Sequence, residues 1–424
     1  MSLYVNRIVE TELDDLFGGL AALSIEGAKG VGKTATATRR AEAVLALDDP
    51  EQRTLLEADH ALLARLAQPV VVDEWQRHPA VWDLVRRAVD RDGSPGQFLL
   101  TGSAAPTSAP THSGAGRIVS VRMRPLSLAE RGLCHTTVSL AALLHGNHGA
   151  VGGESGVDLV GYTDEILASG FPGIRPLRGR ARAAQLDGYL DRVVEHDFAE
   201  QGLAVRRPAT LRSWLAAYAG ATSSSASYNS ILDAATGGED IKPAKTTTIA
   251  YRDILEQLWL IDPVPGWIPS LSPLRRLAQA PKHHLVDPAL AARLVGATRD
   301  ALLTGSEGIN ARVRDGPLLG AFFESLVTQS VRVYAQAALA TVHHLRTRGG
   351  EREVDLVVEG EDRRVLALEV KLTATPSDAD VRHLLWLREQ LGDRAVDAAV
   401  ITTGRYAYRR ADGIGVIPAA LLGP

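Results

Sequence analysis

Gly27-Ala28-Lys29-Gly30-Val31-Gly32-Lys33-Thr34 has the spacing GxxxxGK(S/T). Glycines at those positions let backbone N–H groups close around phosphate at the start of a helix. Lys33 would then reach the β- and γ-phosphates of ATP, and Thr34 would hold Mg²⁺. A merely Gly-rich turn does not explain a lysine followed by a threonine. Further on, Val70-Val71-Val72-Asp73-Glu74 ends an apolar run in two carboxylates. Asp73 would hold Mg²⁺ through water, and Glu74 would polarise an attacking water. The bland alternative is an acidic pair capping the next helix. Leu99-Leu100-Thr101-Gly102-Ser103 ends a third apolar run. There Thr101 or Ser103 would sense the γ-phosphate, unless the segment is an ordinary strand-to-loop turn.

A second set of chemistry-bearing residues lies near the C-terminus. Glu353-Val354-Asp355-Leu356-Val357-Val358 and Val365-Leu366-Ala367-Leu368-Glu369-Val370-Lys371 read as two strands joined by a polar hairpin turn. Glu369 and Lys371 are two apart and share a face, and Asp355 can sit opposite it. Two carboxylates and a lysine suit metal-assisted phosphodiester hydrolysis. Asp355 and Glu369 would hold Mg²⁺, and Lys371 would stabilise developing charge. The alternatives are a surface hairpin, or a fold kept for binding without catalysis.

The elements that must position these groups follow from periodicity. Between about 22 and 123, strand-like and helix-like runs alternate, which argues for a parallel α/β sheet. Strands are expected at 22–26, 43–47, 69–72, 97–100 and 117–123, with helices at 34–42, 51–66 and 79–92. One strand between the first two motifs is the arrangement of ATPases with an added strand there. The Gly-rich stretch 146–156 reads as a boundary. Residues 158–220 are mostly helical. A helix-turn-helix is expected from Tyr228 to Ala235 and from Thr248 to Leu260, with Thr247 or Thr248 as N-cap and Ile249, Leu255, Leu258 and Leu260 facing the core. Lys242, Lys245, Tyr251 and Arg252 would lie where a DNA-reading helix makes contacts, although nearby acidic residues dilute the charge. A long helix from Leu318 to Tyr334 precedes the C-terminal strands.

Composition bounds the rest. The chain has 424 residues, 45% hydrophobic and 23% charged, with a net charge of −4. Several globular domains are expected, and no global basic field advertises nucleic-acid binding. Of 46 basic residues only six are lysine, namely Lys29, Lys33, Lys242, Lys245, Lys282 and Lys371, so each lysine merits inspection. One cysteine, Cys134, excludes an internal disulfide. No run is long and apolar enough for a membrane span, and the acidic N-terminus lacks signal-peptide character, so a cytoplasmic location is expected. Arg117 and Arg124 are the arginines nearest the third motif, and a finger acting in trans would require an oligomer.

Glu26-Gly27-Ala28-Lys29-Gly30-Val31-Gly32-Lys33-Thr34, Val71-Val72-Asp73-Glu74-Trp75-Gln76-Arg77, Leu99-Leu100-Thr101-Gly102-Ser103 and Arg124-Pro125-Leu126-Ser127-Leu128-Ala129-Glu130 resemble the prokaryotic AAA-type ATPases that carry a C-terminal DUF4143 region. The resemblance spans nearly the whole chain. It implies an N-terminal P-loop ATPase domain, a helical and winged-helix middle and a C-terminal restriction-endonuclease-like PD-(D/E)xK domain. It also implies that Glu324, on the helix before the hairpin, completes the nuclease-like site. The expected organisation is an ATPase domain at 1–150, a helical lid at 151–205, a winged helix at 206–275, a linker at 276–317 and the nuclease-like domain at 318–424. Two functions are then open. One is an Mg²⁺-dependent ATPase coupled to action on nucleic acid. The other is an ATP-dependent switch whose nuclease-like domain is an interaction module, with a protein partner or a second copy as the target.

Overall fold

The computed structural model describes residues 4–104, 115–236, 245–268, 280–304, 316–347 and 349–424. Lys242 and the rest of the helix-turn-helix turn, residues 237–244, lie outside them, as does the side chain of Lys245.

Helix α1 (Val9–Phe17) leads into β1 (Ala22–Glu26), α2 (Lys33–Thr38), β2 (Ala43–Ala46), α3 (Pro50–Ala58), α4 (Leu62–Arg65), β3 (Val70–Asp73), α5 (Ala80–Arg91), β4 (Phe98–Gly102) and β5 (Ile118–Arg122). The five strands pair in parallel in the order β2-β3-β4-β1-β5. Strands covered on both faces need apolar residues at successive positions. Leu23, Ile25, Val71 and Leu99 enter one core, while Ala22, Val70, Val72, Phe98 and Leu100 enter the other under α3 to α5. The helix expected over 51–66 is two helices. Asp59 ends α3 in an extended conformation and accepts the N–H of Ala61 on its side chain. That local turn competes with helix continuation.

Next come β6 (Val138–Ser139), α6 (Leu140–Leu144), β7 (Gly153–Glu154), α7 (Leu159–Ala168) and α8 (Gly179–Arg192). A π-turn over Val193–Asp197 leads into α9 (Phe198–Glu200), followed by α10 (Pro208–Gly220), α11 (Tyr228–Ala235) and α12 (Lys245–Gln257). Residues 276–317, expected as a linker, include α13 (Pro288–Leu294) and α14 (Arg299–Leu303). Residues Lys282 to Ala292 there are buried. Residues 261–264 and 282–285 also bridge as an antiparallel pair.

The C-terminal part has α15 (Gly316–Ala337), β8 (Thr341–Arg346), β9 (Glu353–Glu359), β10 (Val365–Val370), α16 (Asp378–Leu391), β11 (Ala395–Thr402), β12 (Tyr406–Arg409), β13 (Gly415–Pro418) and β14 (Leu422–Gly423). Its sheet runs β7-β12-β13-β11-β10-β9-β8. The Gly-rich stretch 146–156 is therefore more than a boundary: β7 forms an edge of this sheet, and β6 pairs with β14.

Helix α15 is apolar around most of its surface and sits at the centre of the molecule, as such a helix must. Phe322, Phe323, Leu326 and Val331 join the core that also receives Leu23 and Ile25. The Arg124–Glu130 segment is tied to it: Ser330 Oγ accepts the N–H of Leu128, and Tyr334 Oη that of Ala129. Among the described residues, no helix is long and apolar enough to cross a membrane.

Candidate functional site

The parallel sheet aligns the C-terminal ends of β1, β3, β4 and β5 along one edge, where open α/β sheets bind ligands. Strand β4 lies between β1, which carries the glycine loop, and β3, which carries the acidic pair. The loop needs its glycines. Gly30 and Gly32 have φ of +85° and +104°, a region that favours glycine. A side chain at Gly27 would place Cβ 2.1 Å from the carbonyl oxygen of Met123. Arg7 braces the loop from behind: its Nη1 donates to Val31 O at 2.8 Å, and its Nε donates to Glu130 at 2.9 Å in a buried ion pair. The Glu of the Arg124–Glu130 motif thus anchors this brace.

Lys33 folds back on its own loop, donating to the carbonyls of Gly27 at 2.8 Å and Ala28 at 3.1 Å. Burial pushes its pKa down to about 8, against the opposing pull of Glu74 and Asp73. Asp73 Oδ1 accepts the Thr34 hydroxyl at 2.8 Å and also the Thr101 hydroxyl. Three residues from three separate motifs therefore meet at one carboxylate. Glu74 sits at φ +53°, uncommon for a non-glycine residue. Its carboxylate accepts from Ser103 Oγ at 3.0 Å and from Gln76 Nε2. Trp75 is a packing residue, buried with its ring 4.7 Å from that of Trp82.

The middle section closes over this edge. Lys29 pairs with Asp197 of the π-turn at 3.3 Å, and Tyr189 Oη donates to Lys29 O at 3.1 Å. A cavity of about 290 Å³ lies between Lys29, Glu74 and Ser103 on one side and Tyr189, Asp197 and Leu258 on the other. A second cavity, of about 530 Å³, adjoins the loop helix and is lined by Tyr4, Val5, Val31, Ala35, Thr36 and Pro172.

The two arginines singled out by position are engaged elsewhere. Arg117 pairs with Asp90 on α5, and Arg124 pairs with Asp262. Arg122, which sequence reasoning passed over, ends β5 level with Glu26 of β1. Its guanidinium lies 3.8 Å over the Trp259 ring, and its buried Nε has no hydrogen-bond partner among the described residues. Burial, reinforced by Arg124 and Arg332, lowers its pKa to about 9.

In the helix-turn-helix segment, Leu255, Leu258 and Leu260 are buried as expected, but Ile249 is exposed. Helix α12 already includes Lys245, so Thr247 and Thr248 lie within its first turn and do not cap it. Tyr251 is buried against Phe198 and Trp214. It is a core aromatic and cannot touch a base edge. Arg252 pairs with Asp253 at 3.0 Å.

At the C-terminal cluster, β9 and the end of β10 bring Asp355, Glu369 and Lys371 together, and α15 adds Glu324, the residue that the resemblance implied. A fifth group stands among them. Lys282 Nζ lies 2.8 Å from Asp355, 2.9 Å from Glu324 and 3.3 Å from Glu353. Burial alone would push this ammonium down, but Asp355, Glu324 and then Glu353 hold its pKa above the ordinary lysine value. Asp355 Oδ2 accepts the N–H of Val370 at 2.9 Å, so both its oxygens are engaged. Lys371 pairs with Glu369 Oε1 at 2.7 Å, while Glu369 Oε2 is buried without a hydrogen-bond partner among the described residues. Burial and the nearby Asp355 raise the pKa of Glu369, and burial and Asp355 likewise raise that of Glu324. Among the described residues, no group of three or more His, Cys, Asp or Glu side chains is arranged to hold a metal ion. The rarity of lysine in this chain was the available signal for Lys282, but no local motif surrounds it.

Three segments match known families. Residues 21–132 match the AAA domain, residues 160–301 a domain of unknown function, DUF8612, and residues 319–422 another, DUF4143. Two uncharacterized proteins, from Mycobacterium tuberculosis and Mycobacterium bovis, are each 27% identical over 395 residues, covering 92% of this chain and 76% of theirs. A solved Walker-type ATPase of Pyrococcus abyssi is similar with a TM-score of 0.40 and 15% identity, over 69% of this chain and 96% of that one. Residues 21–132 are thus similar to an AAA domain in sequence and carry a glycine loop on a parallel sheet, and a segment similar to DUF4143 follows at 319–422.

Proposed function

We propose that the chain binds ATP with Mg²⁺ at the glycine loop, hydrolyses it, and uses the cycle to change how the middle section seats on the P-loop domain. The observation that carries this reading is the meeting of Thr34 and Thr101 on Asp73, beside a buried Lys33. These groups suit Mg²⁺, since a hydroxyl and a carboxylate already within 2.8 Å can share one small ion. Bound there, the ion would neutralise phosphate charge. Lys33 would leave the carbonyls of Gly27 and Ala28 for the β- and γ-phosphates. Backbone N–H groups from Gly30 to Thr34 would hold the phosphates, and the cavity beside Ala35 and Thr36 would take the base. Glu74 would act as general base, released from Ser103 and Gln76, and Thr101 would orient Asp73. The Lys29–Asp197 pair and the Tyr189 contact make the middle section the element positioned to respond.

The cluster around Asp355 favours the switch over coupled nucleic-acid cleavage, because Lys282 already engages its carboxylates. A protein partner or a second copy is then the expected target. Nucleic acid would contact the middle section through residues other than the buried Tyr251.

The test is ATP hydrolysis by the purified chain, alone and with single- and double-stranded DNA and RNA. Lys33→Ala is expected to abolish nucleotide binding. Glu74→Gln is expected to bind ATP but turn it over about 10²–10⁴ times more slowly. Undiminished turnover in both variants would sink the reading. Strong stimulation by one nucleic acid would move the target from a protein partner to that nucleic acid.

A further inference from the structure

We propose that the Lys282 ammonium is the resident cation of the C-terminal carboxylate cluster. It stands where a nuclease of this constellation would carry a divalent metal, and it makes the cluster a metal-free latch between the middle section and the C-terminal sheet. The inference extends the switch reading, since it names the contact through which the middle section grips the C-terminal domain.

The chemistry of the donors carries the argument. A lysine ammonium has three N–H donors and no acceptor. Lys282 Nζ is surrounded by three carboxylates, Asp355 of β9 at 2.8 Å, Glu324 of α15 at 2.9 Å and Glu353 of β9 at 3.3 Å. This explains a lysine in a chain whose basic residues are mostly arginine. A compact point charge fits a three-sided pocket, whereas a planar guanidinium fork does not. The side chain is 2% exposed, and burying an ammonium costs several kcal/mol unless it is paired this completely. The backbone of Lys282 is pinned as well, exchanging two 2.9 Å hydrogen bonds with Val264.

The same geometry works against a divalent ion. Mg²⁺ requires oxygen ligands at about 2.0–2.1 Å in near-octahedral array. Asp355 spends one oxygen on Lys282 and the other on the N–H of Val370. Glu324 faces the same ammonium, and Glu369 Oε1 is taken by Lys371. Glu369 Oε2 has no hydrogen-bond partner among the described residues. An ion drawn to it would compete with two ammonium groups for the same carboxylates. The residues expected to form a metal centre are thus divided into two lysine–carboxylate groups.

The experiment is Mn²⁺ binding to the nucleotide-free full chain, followed by electron paramagnetic resonance and thermal unfolding. An Asp73→Asn background removes the P-loop contribution. In that background, no Mn²⁺ uptake sensitive to Asp355→Asn is expected. Lys282→Met is expected to lower the unfolding temperature by several degrees and to gain one Mn²⁺ site. Mn²⁺ would then restore part of the lost stability, as a ligand of the folded state must, and adding Asp355→Asn would abolish the site. One Mn²⁺ bound with Lys282 intact and lost in Asp355→Asn or Glu369→Gln would overturn the proposal. So would an unchanged unfolding temperature in Lys282→Met. Should Lys282→Met fail to fold, the measurement with Lys282 intact still decides. ATP binding by chains with Asp73 intact, compared between the parent and Lys33→Ala, tests the P-loop reading separately, so a failure there leaves the outcome at Lys282 unaffected.

Discussion

Lys33 carries a charge that the folded chain tolerates for the sake of its ligand, and this has a measurable signature. Its pKa is lowered from 10.5 to about 8, mainly by burial. A shift of that size corresponds to about 3 kcal/mol of disfavoured protonated lysine in the ligand-free protein. Between pH 8 and 10.5 the unfolded chain holds a proton that the folded chain has released. Stability from this group therefore rises with pH through that window. Lys33→Met removes the buried charge but also the bonds to Gly27 O and Ala28 O. Losing those two bonds gives back about 1–2 kcal/mol, so the variant is expected to be about 1–2 kcal/mol more stable than the parent at pH 7. Phosphate binding needs the ammonium. ATP binding should thus take up a proton near pH 8, and affinity should fall by up to about tenfold per pH unit above it. The assay combines urea unfolding of both proteins at pH 7 with ATP titration calorimetry from pH 6.5 to 9.5 in two buffers of different ionisation enthalpy. A Lys33→Met protein clearly less stable than the parent, or an ATP affinity that stays flat across pH 8, would refute the reasoning.

Two further substitutions probe the surroundings of the site. Gly102→Ala would place a Cβ 2.8 Å from Trp75 Nε1 and 3.1 Å from Gln76 Oε1, the residue that holds Glu74. We expect a loss of about 1–3 kcal/mol by chemical denaturation, with turnover reduced more than ATP affinity; equal loss of both would argue against a link through Gln76. Arg122→Ala removes a guanidinium stacked on Trp259 at the strand ends. Steady-state kinetics should show lower kcat with near-normal ATP affinity, partly recovered in Arg122→Lys, and an unchanged kcat would reduce Arg122 to packing.

What the sequence by itself determined is local. The apolar runs marked β1, β3 and β4, because a strand buried on both faces has no choice of polarity, and shorter or alternating runs marked the edge strands β2 and β5. The glycine loop declared itself through spacing, since only glycine fits φ at Gly30 and Gly32 and the space at Gly27. The β9–β10 hairpin and α15 were legible for the same reason. Only the tertiary structure decided which groups meet. Thr101 and Thr34 reach one carboxylate because β4 lies between β1 and β3, an order that no local pattern encodes. Tyr251 turned from a candidate contact into a core aromatic because α9 and α10 pack on it. Strand β7 joins a sheet whose other strands begin nearly two hundred residues later. Lys282 is a single charge in a stretch without a motif, and its partners are 42, 71 and 73 residues away along the chain. Periodicity reports which way a side chain faces, but which cation neutralises a buried carboxylate is settled only when distant segments are packed together.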